Sequence, residues 1–149
     1  MAEFYQEPAR RIPVAEKVDV LVLGAGPAGF SAAVCAARQG AKTLLVEQSG
    51  EVGGVATSGL MSHWTGTTKG GFYEEILDRS ADRPEAKLDL GFNGTERNII
   101  NPERLKTVML EMLAEASAKL RLYTFASGVI MDGNRLKGVI VESKSGRQA

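Results

Sequence analysis

Glycines at positions 24, 26 and 29 stand between an apolar run and an alanine-rich stretch, and few folds accommodate that order. Val18-Asp19-Val20-Leu21-Val22-Leu23 is almost continuously apolar and rich in valine, as a strand buried on both faces of a parallel sheet reads. From Pro27 to Gln39, Ala28, Ala32, Ala33, Ala36 and Ala37 favour a helix, and Gly40 supplies its stop. Thr43-Leu44-Leu45-Val46-Glu47 reads as a second strand, so residues 18–47 make one β-α-β unit. In that setting Gly24 permits a tight turn. Gly26 carries no side chain, so a phosphate group can come up to the backbone, and Gly29 lets helix and strand pack closely. The start of the helix offers unpaired N–H groups and the positive end of its dipole to an anion. Glu47 closes the second strand eighteen residues beyond Gly29. An acid is needed there to accept hydrogen bonds from ribose hydroxyls, and it repels a ribose 2′-phosphate. The pattern predicts a dinucleotide site. The competing reading, a chance glycine-rich turn in a doubly wound domain, must account for the glycines, the flanking elements and the acid together.

Composition narrows the function classes. The 149 residues are one domain's worth of chain. Lys plus Arg and Asp plus Glu are 18 each, so the basic excess that a nucleic-acid or anionic-membrane partner requires is missing. One cysteine excludes an internal disulfide, and one histidine beside it gives no basis for a zinc site. No apolar run approaches the roughly 20 residues that span a bilayer. Arg10-Arg11 leads into Ile12-Pro13-Val14-Ala15-Glu16-Lys17, not into the apolar stretch of an export signal. The expectation is a cytoplasmic chain without metal, membrane or nucleic acid.

Residues 1–17 are mixed, with Pro8 and Pro13, and read as an N-terminal arm leading into a domain over 18–149. Gln48 to Gly71 is polar and glycine-rich, a loop with a short helical turn after Gly54. Residues 60–100 read as a loop-rich insertion holding one amphipathic helix over 72–81 and turns at Arg83-Pro84 and Asn93-Gly94. Asn101-Pro102-Glu103 opens a helix with an N-cap, a proline at the first position and an acid in the first turn. Leu105, Val108, Met109, Met112, Leu113 and Ala116 then form one apolar stripe. Leu120 to Phe125 reads as a third strand. Gly128 to Met131 and Leu136 to Glu142 form a hairpin about Asp132-Gly133-Asn134-Arg135, and Ser145-Gly146 turns into one more strand.

The fingerprint by itself leaves NAD and FAD open. Glu51-Val52-Gly53-Gly54-Val55-Ala56-Thr57 favours the larger group, because adjacent glycines let backbone approach a second part of the cofactor and Thr57 can meet a phosphate or ribityl oxygen. An NAD-dependent dehydrogenase domain is the alternative. With Ala9-Arg10-Arg11-Ile12-Pro13-Val14, Asp19 through Gly29, Leu45-Val46-Glu47 and Gly53 through Thr57, the chain resembles the N-terminal part of FAD-dependent oxidoreductases. These have the glutathione-reductase-type FAD fold, and a broad bacterial set is the most similar. Asn101 to Lys106 and Gly138 to Arg147 extend the resemblance over nearly the whole chain, with 60–100 the least matched.

The resemblance implies an α/β, Rossmann-like fold of three layers, a parallel sheet with a β-meander. It implies FAD, with Gly24, Gly26, Pro27, Ala28 and Gly29 along the pyrophosphate and Glu47 and Gln48 at the adenosine ribose. Gly53, Gly54 and Thr57 would approach the pyrophosphate and ribityl chain, and Ser127 would present a backbone group to adenine. Family members continue into a strand ending in a Gly-Asp motif, which nothing here matches, so the fold is expected to be incomplete at its C-terminus. That leaves Val18–Leu23 with an open edge and favours homo-oligomers. The function implied is the FAD-binding segment of an oxidoreductase that moves a hydride or electron pair to or from an unnamed small-molecule substrate. A non-catalytic fragment or association module is the reading from a different class. No catalytic residue is assigned. Histidine as a residue type suits proton transfer near neutral pH, but His63 and Trp64 read more simply as packing or loop residues. Cys35, mid-helix among alanines, reads as a small buried hydrophobe.

Overall fold

The computed structural model describes residues 2–61, 63–65, 70–80, 87–88 and 97–149. In chain order the elements are β1 (Val20–Leu23), α1 (Pro27–Arg38), β2 (Thr43–Val46), a 3-10 turn (Gly54–Ala56), β3 (His63–Thr65), α2 (Gly71–Ser80), β4 (Lys87–Leu88), β5 (Arg97–Ile99), α3 (Pro102–Glu115), β6 (Lys119–Arg121), β7 (Phe125–Asp132), β8 (Arg135–Ser143) and β9 (Gly146–Gln148). The turns expected at 83–84 and 93–94 lie outside the described residues.

The β-α-β unit forms as its sequence pattern requires. β1, β2 and β6 make a parallel sheet with β2 in the middle, Val20 opposite Thr43 and Leu45 opposite Leu120. All of β2 is buried. β1 is not the doubly covered strand its valines suggest. It is half-buried, and Leu23 is 48% exposed. The reason is its place in the sheet: among the described residues no strand pairs with its outer edge.

Alternation along β2 separates two apolar layers, as the two-residue period of a strand demands. Leu45 faces α1 and α3, where Phe30, Ala33, Val34, Leu105, Val108, Met109, Met112 and Leu113 form the main core. Leu44 and Val46 face the other way, onto Val139 and Val141 of β8. β7, β8 and β9 are an antiparallel meander that covers this second face. Helices, parallel sheet and meander are the three layers. The α3 stripe is buried as its spacing predicts, each large side chain contributing about 1.5–3 kcal/mol by leaving water. Asn101 caps α3, its side chain accepting from the Glu103 and Arg104 N–H groups.

Three expectations about local structure need correction. The third strand is Lys119–Arg121, shorter and earlier than Leu120–Phe125, because Tyr123 takes a left-handed backbone (φ 51°) that ends it. The 60–100 region holds a small antiparallel sheet in the order β3-β5-β4, whose strands of two or three residues are too short to show a period. Cys35 is exposed, since the buried face of α1 runs through Phe30, Ala33 and Val34. Apart from these, the arm is partly docked: the Ala15 N–H donates to the Ala149 carbonyl, the Ala149 N–H to the Pro13 carbonyl, and Glu16 pairs with Lys119.

α1, α2 and α3 are also joined on their outer side. Arg38 makes a two-armed pair with Glu75 at 2.6 and 2.7 Å, and Arg79 bridges Glu75 and Glu115. Among the described residues no helix is long and apolar enough to cross a membrane.

Candidate functional site

The turn from β1 into α1 depends on glycine. Gly24 sits at φ +91°, and its N–H donates to the Val46 carbonyl at 2.7 Å. A Cβ built on Gly29 would lie 1.9 Å from the Gly24 carbonyl oxygen, so only glycine lets α1 cross the strand this closely. A Cβ on Gly26 would meet nothing within 4 Å, so that face of the turn is open. Gly26 is the N-cap of α1 and offers no side chain. Pro27 follows at the first position, and the first turn holds no acid. The N–H groups that start α1 are therefore left for an anion.

The double glycine is folded against this turn. The Gly53 N–H donates to the Ala25 carbonyl at 2.7 Å, and a Cβ on Gly54 would lie 3.1 Å from the Gly26 Cα. Gly53 (φ +100°) and Gly54 (φ +53°) both take left-handed backbone, which glycine adopts without steric cost. Thr57 lies differently from its sequence expectation. It is fully buried, its hydroxyl donates to the Val52 carbonyl, and its side chain fills the space beside Gly53. The 3-10 turn winds it inward, so Thr57 holds the double-glycine turn from beneath.

Glu47, directly after β2, is buried, and each of its carboxylate oxygens accepts a backbone N–H. Its Oε2 accepts the Ala25 N–H at 2.6 Å and its Oε1 the Ser49 N–H at 2.7 Å. Burial pushes the carboxyl upward, but the Ser49 and Ala25 N–H donors outweigh it and hold the group below the usual carboxylate range. A carboxylate has about four acceptor positions, so about two remain for hydroxyl donors. Beside it lies a cavity of about 180 Å³, lined by Leu23, Gly24, Val46, Gln48, Thr124 and Phe125 along with Glu47 and Ala126.

The connection from β6 to β7 closes this cavity. The Thr124 N–H donates to the Glu47 carbonyl at 2.9 Å and the Tyr123 N–H to the Ser49 carbonyl at 3.0 Å. Ser127 is exposed on β7, its hydroxyl 3.5 Å from the Ile140 carbonyl, and it does not line the cavity. Thr124, Phe125 and Ala126 do. The register of β7 shifts between Ala126 and Gly128, a bulge that no sequence pattern announces. Trp64 stacks on Tyr73 with ring centroids 6.0 Å apart and packs on the main core. Among the described residues no three His, Cys, Asp or Glu side chains are grouped to hold a metal ion.

This geometry agrees with what the chain is similar to. The sequence model of the family described as FAD dependent oxidoreductase matches residues 19–149. A digeranylgeranylglycerophospholipid reductase of Picrophilus torridus is 31% identical over 141 residues, covering 85% of this chain and 35% of the relative. A thiamine thiazole synthase of Aeropyrum pernix is 32% identical over 126 residues, covering 83% and 43%. Among solved structures, a geranylgeranyl bacteriochlorophyll reductase-like protein of Thermoplasma acidophilum superposes with a TM-score of 0.63 at 25% identity. That match covers 88% of this chain and 36% of the other. The chain thus spans less than half the length of these relatives. The sequence relatives include archaeal proteins, so the similarity is not confined to bacteria.

Proposed function

Because this chain belongs to the FAD dependent oxidoreductase family, we propose that it supplies the grip on the ADP half of FAD within a flavin-dependent oxidoreductase. The observation that carries this reading is the joining of both glycine segments and the buried acid at one turn. Gly53 is hydrogen-bonded to Ala25, and Ala25 to Glu47. FAD fits the residues present. The open face at Gly26 and the uncapped start of α1 accept a pyrophosphate through the N–H groups of Gly26, Ala28 and Gly29, with Gly24 and Pro27 shaping the turn. The spare acceptor positions of Glu47 suit ribose hydroxyls, with Gln48 alongside. The cavity between Glu47 and Ala126 suits the adenine end, read by backbone of residues 124–126 in the place expected of Ser127. Gly53 and Gly54 bring backbone toward the continuation of the cofactor, and Thr57 supports them from below. When bound, FAD supplies two-electron transfer at its ring system, and the protein binds and orients it.

The test is direct titration of the purified chain with FAD, ADP and NAD by calorimetry. Saturable binding of FAD and ADP, with NAD weaker, is expected. NAD binding with no FAD binding would restore the dehydrogenase alternative and overturn this reading.

We also propose that the 149-residue chain self-associates, two copies meeting along the outer edge of β1. That edge is unpaired among the described residues. It flanks a cleft of about 650 Å³ in which Leu21, Leu23, Leu44, Ile130, Leu136 and Val139 line an apolar part, with Glu16, Lys17, Asp19, Arg121 and Lys137 also on its walls. A bare strand edge over apolar side chains is a template for a further strand, and a second copy carries the same edge. Sedimentation velocity should show dimers or larger species whose share rises with concentration. A monomer throughout a millimolar series would overturn the proposal.

A further inference from the structure

Glu47 does more than face a ribose. Its Oε2 takes the Ala25 N–H, and the carbonyl of the same buried residue takes the Gly53 N–H at 2.7 Å. Ala25 is thereby held from both sides, by the acid at the end of β2 and by the double-glycine turn. The other oxygen of the acid takes the Ser49 N–H, and its backbone carbonyl takes the Thr124 N–H. One residue ties together the first glycine turn, the loop after β2 and the entry to β7.

Besides these bonds, the first glycine turn is held by the Gly24 N–H bond to the Val46 carbonyl and by little side-chain packing. Gly24 and Gly26 have no side chains to pack, and glycine has the widest backbone freedom of any residue. A hydrogen bond from a buried N–H to a charged acceptor is among the strong ones, and it strengthens in a low-dielectric setting.

We infer that Glu47 is the positioning residue of the phosphate turn. Its carboxylate fixes where the Ala25–Gly26 backbone presents its N–H groups and, through Ala25, where the Gly53–Gly54 turn sits. Losing the carboxylate therefore weakens phosphate binding even by a ligand that has no ribose. This rests on the reading of the site as a dinucleotide site. Coulomb's law alone points the opposite way: neutralising a carboxylate beside an anion site should strengthen anion binding.

The experiment compares the wild-type chain with Glu47→Gln, using inorganic pyrophosphate and adenosine as separate probes. Glutamine has one acceptor oxygen for two N–H donors and turns its own amide N–H groups toward the other. Pyrophosphate affinity should fall about tenfold, the factor that 1.4 kcal/mol makes, together with the loss in adenosine affinity. Unchanged or tighter pyrophosphate binding with weakened adenosine would overturn the inference and leave Glu47 as a ribose contact only.

If the wild-type chain binds neither probe, the dinucleotide reading itself fails, and amide exchange decides the positioning role alone. Glu47→Gln should speed exchange of the Gly53 N–H while α3 stays protected, and an unchanged Gly53 rate would overturn the inference. Should Glu47→Gln not fold, acid titration of the wild type serves. The Ala25, Ser49 and Gly53 amide resonances should then move together, with one midpoint below the ordinary glutamate range. A silent Gly53 amide would count against the inference.

Discussion

Gly29→Ala lowers the stability of this chain by about 3 kcal/mol, the upper end of what overpacking costs, and removes FAD binding with it. In most helices the same exchange is favourable, since alanine gains up to about 1 kcal/mol over glycine in helix propensity. Here the added methyl group would lie 1.9 Å from the Gly24 carbonyl oxygen, 3.1 Å from the Gly24 carbonyl carbon and 3.3 Å from a Val22 methyl. The first two are backbone atoms of the turn proposed to shape the anion site, so no rotamer change relieves the overlap. α1 must move off β1, and its N–H groups move off the position where the phosphate turn presents them. Urea unfolding should show a lower midpoint with an unchanged slope. A midpoint equal to that of the wild type would show that α1 and β1 do not approach this closely.

The second large effect is expected one residue on. Phe30→Ala should cost about 3–5 kcal/mol, the range for deleting a buried aromatic ring. Phe30 is fully buried in the main core, and its ring centroid lies 5.7 Å from that of Phe72 in α2. Arg38 stacks on the other partner, 5.5 Å over the Phe72 ring, while also holding Glu75. The cavity would open at the junction of α1, α2 and α3, beneath the first turn of α1. The thermal midpoint should fall by roughly 6–20 °C, at about 2–4 °C per kcal/mol for a domain near 150 residues. A loss of under 1 kcal/mol would mean that the junction refills by collapse and is not a rigid support for the site.

Much of this fold is legible in the sequence because its signals are local. The β-α-β unit follows from a valine-rich run, an alanine-rich helix and the glycines between them. The α3 stripe follows from a helical period, and its start from Asn101-Pro102-Glu103. The meander follows from Asp132-Gly133 and Ser145-Gly146, which turn where expected. The misses have non-local or very short causes. The burial of β1 depends on which strand lies next to it. The β3-β5-β4 sheet has strands too short for any period. The exposure of Cys35 depends on which face of α1 meets the sheet, which an almost all-alanine helix does not announce.

For the candidate site the division is similar. Residue type and spacing alone pointed to glycines 24, 26, 29, 53 and 54 and Glu47 as candidates for one binding function, because a close backbone approach and a ribose acid each demand a particular residue. Only the tertiary structure decided what those residues touch. It turned Thr57 inward onto the Val52 carbonyl, put Thr124, Phe125 and Ala126 and not Ser127 on the cavity wall, and joined Glu47 to Gly53 through Ala25. Glycine can be read from sequence as a permission for close approach. Which two segments use that permission is settled by packing between residues more than twenty positions apart.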